Sequence, residues 1–208
     1  YKPFPMIALE KKVLASSNSA KLKELQDILI TKKITLVPQS EFDIPDAIED
    51  GLSFVENAII KARHASELTK LPALADDSGL VVDALGGAPG IYSARYAGLD
   101  KDRESNDAAN NALLLENLEQ IPVDKRTARF QCCIALVRFP DDPMPLICQG
   151  SWNGLILFAE QGNHGFGYDP LFYVPEYNCA SAELEPSVKN SLSHRAQALQ
   201  QLLENFPE

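Results

Sequence analysis

Two adjacent carboxylates, Asp76 and Asp77, follow the apolar run from Leu71 to Ala75 and precede Ser78 and Gly79. Folding alone explains paired acids at a strand end poorly, because a buried charge without a partner is costly. Strand ends in α/β folds are also where ligands bind. Magnesium would offset the cost, since it takes carboxylate oxygens together with substrate phosphates. Successive strand side chains point to opposite faces, so one of the two acids is expected to enter such a site. Glu49, in Glu49-Asp50-Gly51, is the candidate second ligand. The plain alternatives are an exposed Asp-Ser-Gly turn and a solvated acidic loop.

Five other segments carry groups that suit a phosphorylated ligand. Ser16, Ser17, Asn18, Ser19, Ala20 and Lys21 form a polar turn before an expected helix, where free N–H groups and a lysine favour phosphate. It is not a Walker A loop, and an ordinary serine-rich cap is the alternative. Lys61, two turns into a later helix, points back at phosphate or out to water. Phe166, Gly167, Tyr168 and Asp169 place an aromatic between glycines, a stacking surface for a base, with Asp169 able to accept from a ring N–H. The alternative is a tight turn with core aromatics. Lys189, His194 and Arg195 lie at the start of the last helix, where cations oppose the dipole and so point to a partner such as a carbonyl oxygen. An exposed charged turn is the alternative. Gly86 to Gly90 reads as a loop, and Arg95 beyond it as an anion contact or part of a rigid turn.

The elements that must position these groups follow from periodicity, which switches repeatedly between strand and helix and predicts an α/β or α+β class. Val13 to Ser16 and Ile34 to Val37 read as short strands. Leu22, Leu25, Ile28 and Leu29 lie at helical spacing behind an Asn18 or Ser19 cap. Ser53 and Glu56 form a capping box that opens a helix through Thr69, its face being Val55, Ala58, Ala62, Ala65 and Leu68. The strand from Leu71 is expected to end at Asp76, and Leu80 to Asp83 is strand or helix. A helix from Arg103 to Leu118 stops before Pro122. Ala128 to Phe139 and Leu146 to Phe158 read as long paired strands, and one last helix starts near Ser191 or Ser193, with Leu192, Leu199, Leu202, Leu203 and Phe206 on its face.

The 208 residues predict a single domain over 1–208, with residues 1–10 an extension or tag remnant. A net charge of −10 argues against sequence-independent binding to polymeric nucleic acid, though not against a small anionic substrate. The chain has no apolar run long enough for a membrane span, and its first residues are too short a stretch for a signal peptide. Cys132, Cys133, Cys148 and Cys179 lack zinc-ligand spacing; the adjacent pair reads as buried strand thiols, which suits a reducing cytoplasm.

Taken together the segments resemble the inosine triphosphate pyrophosphatase family, the RdgB-like non-canonical purine NTP pyrophosphatases. The matching stretches are Ser16 to Lys21, Glu49 to Ala58, Asp76 to Leu80, Gly87 to Tyr96, Phe166 to Pro170 and Ser193 to Arg195. The resemblance implies an α/β fold, with an elongated mixed sheet, flanking helices and two lobes around a central cleft. It implies a homodimer dependent on Mg2+ that hydrolyses ITP, dITP and XTP to the monophosphate and pyrophosphate, cleansing the nucleotide pool. Asp77 matches the catalytic carboxylate and, with Glu49, the metal ligands. Ser16 to Lys21, Lys61, Ser78, Phe166 to Asp169, Lys189, His194 and Arg195 match the substrate-binding positions. The first loop departs from the family's Thr-Gly-Asn-x-Gly-Lys at Ser16, Ser17 and Ala20, Asp50 replaces a common threonine and Ala196 a common glycine. Maf-like pyrophosphatases and a non-catalytic nucleotide sensor are the rivals. The Phe166 and His194-Arg195 elements disfavour the first, and the retained acids the second.

Overall fold

The computed structural model describes residues 11–16, 25–26, 35–98 and 103–205. The described residues form two compact units. One takes the chain up to Asp77, then Cys132–Gln149 and the residues from Ala198; the other takes Ser78–Gln131 and Gly150–Gln197. Among the described residues, seven strands form one mixed sheet in the order β2-β1-β3-β4-β5-β6-β7. These are β1 (Lys11–Leu14), β2 (Thr35–Pro38), β3 (Ala73–Val82), β4 (Thr127–Val137), β5 (Leu146–Ile156), β6 (Phe172–Val174) and β7 (Cys179–Ala180). β1 pairs in parallel with β2 and β3, while β6 is antiparallel to β5 and β7. The helices described along their whole length are α1 (Phe54–Thr69), α2 (Arg103–Asn117), α3 (Pro186–Leu192) and α4 (His194–Glu204).

In the first unit the alternation of strand side chains builds two cores from the same strands. Val13, Ala15, Ala73, Ala75, Cys133, Ala135 and Val137 meet Ala58, Ala62 and Ala65 of α1. Their neighbours Leu14, Leu74, Cys132, Ile134 and Leu136 meet Ala198, Leu199 and Leu202 of α4. A sheet covered on both faces reads as a continuous apolar run, which is the character of these segments. It also explains the adjacent thiols: Cys132 and Cys133 are both buried, on opposite faces. Small residues on α1 let the helix approach the strands closely. Its cap forms as expected, with Ser53 Oγ accepting from Glu56 N and Glu56 Oε2 accepting from the Ser53 hydroxyl and from Leu52 N.

The second unit packs Leu80, Val82, Leu114, Leu118, Phe130, Trp152, Tyr168 and Phe172 into one core. Its largest fully buried side chain is Arg126. The guanidinium donates to Leu118 O, Ile121 O and Leu157 O and lies 3.7 Å from the Phe158 ring centroid, so it closes the C-terminal end of α2 onto the sheet.

Several sequence expectations are corrected. β3 does not end at Asp76: it runs on through Asp77, Ser78 and Gly79 to Val82, because Leu80 and Val82 continue the buried alternation. Gly79 permits this, since a Cβ there would collide with Ser93 and Gly90 of the following turn. Leu68 is exposed rather than part of the α1 face. The last helix is two helices, α3 and α4, broken at Ser193, and the short strands β6 and β7 were not foreseen. The expected first helix lies outside the described residues except at 25–26, as does Phe206.

Replacing Arg126 by methionine strands one buried and two part-buried carbonyls. It is expected to lower stability by about 2–4 kcal/mol, read as a shift in the urea midpoint. An unshifted midpoint would refute the pinning role.

Candidate active site

Strand parity decides what meets at the acidic cluster. Asp77 shares the parity of Ala73 and Ala75, the face covered by α1. On α1, Asn57 and Lys61 are four residues apart and therefore stand on one side of the helix. The Lys61 ammonium lies 3.0 Å from Asp77 Oδ1 and 3.4 Å from Glu49 Oε1. Asp76 has the opposite parity, yet it lines one cavity with Ser16, Gln39, Asp46, Glu49 and Lys61. Of the paired acids Asp76 lines this cavity, while Asp77 meets Lys61 on the α1 side. Lys61 carries its charge on a long stem, and both carboxylates stabilise it.

The loop before α1 is held so that Glu49 faces this lysine. Asn57 is fully buried, and its Oδ1 accepts the Gly51 N–H at 2.9 Å. A Cβ on Gly51 would come within 2.6 Å of that same oxygen, so the close approach requires glycine there. Further along the loop, Gln39 hydrogen-bonds Asp46, and His64 Nε2 donates to Pro45 O at 2.8 Å. Sequence reasoning passed over Asn57 as a site residue. The available signal was a polar residue beside the small apolar stripe of α1, one turn before Lys61.

Charge in this cluster is strongly coupled. Burial alone would lower the Lys61 pKa, but Asp77, Asp76 and Glu49 together outweigh it and hold the ammonium protonated. Burial raises Asp77 above the usual carboxylate range. Lys61 opposes that shift, Glu49 adds to it, and the adjacent Asn57 amide favours the ionised form. A carboxylate raised in this way is a better proton acceptor near neutral pH.

Among the described residues no three acid, histidine or cysteine side chains are grouped to hold a metal ion by themselves. Magnesium does not require such a cage, since one or two carboxylates plus phosphate oxygens suffice. Glu49 and Asp77 already share one cation, and Asp77 Oδ2 is buried without a hydrogen bond. The donors are all hard oxygens, so these residues fit that metal.

In the second unit, Phe166 sits half-buried between Gly165 and Gly167, both at positive φ. Asp169 builds this turn: its Oδ2 accepts from Phe166 N and Lys189 Nζ, and its Oδ1 from Ser181 Oγ. Both carboxylate oxygens are thus engaged within the protein, so Asp169 anchors the aromatic where the sequence had offered it to a ring N–H. The Lys189 ammonium lies 5.2 Å from the Phe166 centroid. Tyr168 is a core residue whose hydroxyl donates to Ser93 O at 2.7 Å, and burial raises its pKa. His194 stacks on Phe130 at 4.9 Å, and Arg195 Nη2 donates to Ser78 Oγ at 3.2 Å. Both His194 and Arg195 are buried, so the exposed-turn alternative fails. Arg95 is exposed near the Tyr92 ring. Ser17, Asn18, Ser19, Ala20 and Lys21 lie outside the described residues; Ser16 is at the cavity.

The first unit thus carries acids gathered around one lysine, and the second a glycine-flanked aromatic turn. Residues 12–205 match the model of the Ham1 family, and the chain belongs to that family. A dITP/XTP pyrophosphatase of Pseudomonas syringae pv. tomato is 61% identical, over 92% of this chain and 94% of its own. One from Vibrio cholerae is 54% identical, over 96% and 98%. The solved structure of a HAM1 protein from Coxiella burnetii matches with a TM-score of 0.86 at 53% identity, covering 92% of this chain and 95% of its own. The family resemblance and the α/β class read from the sequence are borne out.

Lys61→Met is expected to move the Asp77 titration further up, and Glu49→Gln to move it down, followed by the Asp77 carboxyl-carbon shift against pH. Shifts of the same sign in both variants would contradict the pairing described.

Proposed function

We propose that the chain is a nucleoside triphosphate pyrophosphatase that hydrolyses the non-canonical purine nucleotides dITP, ITP and XTP to monophosphate and pyrophosphate. The observation that carries this reading is the convergence of Glu49, Asp76 and Asp77 on Lys61. Three carboxylates against one ammonium leave an excess of two negative charges when all are ionised, which suits a divalent cation. The activity named for the relatives at 61% and 54% identity supports the same substrates.

Glu49 and Asp77 would hold Mg2+, which when bound supplies charge neutralisation on the triphosphate. Asp77 takes the proton from the attacking water; its burial and the Glu49 charge raise its affinity for that proton. Lys61, held protonated by the acids, stabilises charge on the departing pyrophosphate, and Lys21 adds a second cation. The family resemblance assigns phosphate binding to Ser16 to Ala20 and Ser78. Phe166 stacks on the base, fixed by Gly167, Tyr168 and Asp169 and flanked by Lys189. Arg195 is donor-only, and with His194 it favours an acceptor oxygen at C6 over the amine of adenine. An amine there leaves buried donors unmatched, at about 1–3 kcal/mol per group.

The same reading includes a homodimer, with no membrane or polymeric nucleic acid as partner, working in the cytoplasm. Four free cysteines and the net charge of −10 support it. Among the described residues no helix is long and apolar enough to cross a membrane. Size exclusion with light scattering reads the dimer.

Pyrophosphate release is to be measured on dITP, ITP, XTP, GTP, ATP and TTP, with and without magnesium. Magnesium-dependent release from the first three, with ATP and TTP well below them, is the expected result; equal efficiency on ATP and ITP overturns the reading. Asp77→Asn is expected to stay folded and lose about 10²–10⁴ in kcat. Because burial raises Asp77, its carboxyl is expected to titrate above the ordinary carboxylate range in the metal-free protein, read from its carboxyl-carbon shift against pH, and to move down when magnesium is added.

A further inference from the structure

Gly167 is gripped at both ends of its residue by one helix. Asp107 Oδ2 accepts the Gly167 N–H at 2.8 Å, and Asn111 Nδ2 donates to the Gly167 C=O at 3.1 Å. Asp107 and Asn111 are four residues apart on α2, so both stand on the same side of that helix. Asn110, their neighbour there, donates to Ser93 O and accepts from Ala97 N, and Tyr168 OH also donates to Ser93 O. One side of α2 therefore holds the aromatic turn and the Gly90–Arg95 turn together. Asn111 is further fixed through its contact with Glu160 at 2.8 Å.

The grip matters because Gly167 has φ +62 and the flanking Gly165 has φ +78. Residues in that region sample many alternatives, so the direction of the Phe166 ring between them depends on external contacts. Asp169 fixes the turn from one side, through the Phe166 N–H. Within the turn the Asp169 N–H also donates to Phe166 O at 3.3 Å, whereas the Gly167 N–H and C=O are both held from α2.

The geometry points to Asp107 and Asn111 as positioning residues: by clamping the N–H and C=O of Gly167 they set the orientation of the Phe166 ring for stacking on the purine. The inference rests on the proposed pyrophosphatase reading for its ligand, but not for the clamp itself. Neither side chain touches the reacting phosphoryl group. Their loss therefore weakens binding of substrate and transition state alike, which raises KM and leaves kcat.

The test compares Asp107→Ala, Asp107→Asn and Asn111→Ser with the wild type, using dITP hydrolysis and backbone hydrogen exchange of residues 165–169. Thermal melting checks that each variant is folded. Asp107→Ala is expected to raise KM for dITP about tenfold with kcat within about twofold, since a hydrogen bond to a carboxylate is among the stronger ones. Exchange at 165–169 speeds up, while β3 exchange stays unchanged. Asp107→Asn keeps an acceptor oxygen and is expected to restore KM to within about threefold of wild type. Should Asp107→Ala fail to fold, Asn111→Ser is expected to give the same KM and exchange effects through the C=O side. A folded variant with unchanged KM and unchanged exchange overturns the inference, as does Asp107→Asn behaving like Asp107→Ala, or a fall in kcat at constant KM. If the wild type releases pyrophosphate from no triphosphate, the functional reading falls, whereas the exchange comparison still decides the clamp.

Discussion

An ammonium ion among three carboxylates sets the terms for the first unit. Lys61 is largely buried, and a buried charge survives only with close partners. Glu49, Asp76 and Asp77 supply them, and their combined field keeps the lysine protonated against the pull of burial. The same burial leaves Asp77 an unusually avid proton acceptor. A cluster optimised for folding would not carry surplus acids beside one lysine. Here the misfit is retained inside a sheet packed on both faces, and that rigid packing holds the groups at their separations.

The alanine face of α1 is what makes the meeting possible. Ala58, Ala62 and Ala65 bring the helix close to β1, β3 and β4, so two of its polar residues, Asn57 and Lys61, reach the strand carboxylate. The Ser53 cap fixes where the helix begins, and the Asn57–Gly51 bond ties the preceding loop to it. In the second unit the corresponding organiser is α2, with Arg126 closing its end and a row of amide and carboxylate side chains reaching the loops. Both units use a helix to aim a loop, and in both the aiming is done by polar side chains that hydrogen-bond a glycine backbone.

Much of this was legible in residue order. The capping box, the buried strands and the chemistry of Glu49, Asp77 and Phe166 are local signals, carried by residue types a few positions apart. The course of β3 was not, because aspartate, serine and glycine usually mark turns; here Gly79 makes room for a turn some ten residues later in the chain, and only tertiary packing shows that. Asp169 looked like a ligand group because its partners, Lys189 and Ser181, lie 20 and 12 residues away. Asp107 and Asn111 were invisible for the same reason: a polar side chain on a helix declares its purpose only through what it touches.

The paired sulfurs of β4 have a chemical consequence. Cys132 and Cys133 face opposite sides of the sheet, so bridging them would mean turning a central strand inside out. Burial pushes the Cys133 and Cys148 thiols up to about 11, and at neutral pH only on the order of one such group in ten thousand is the reactive anion. Peroxides and electrophiles attack that anion, so the interior of this sheet is inert toward oxidants that inactivate proteins through exposed thiolates.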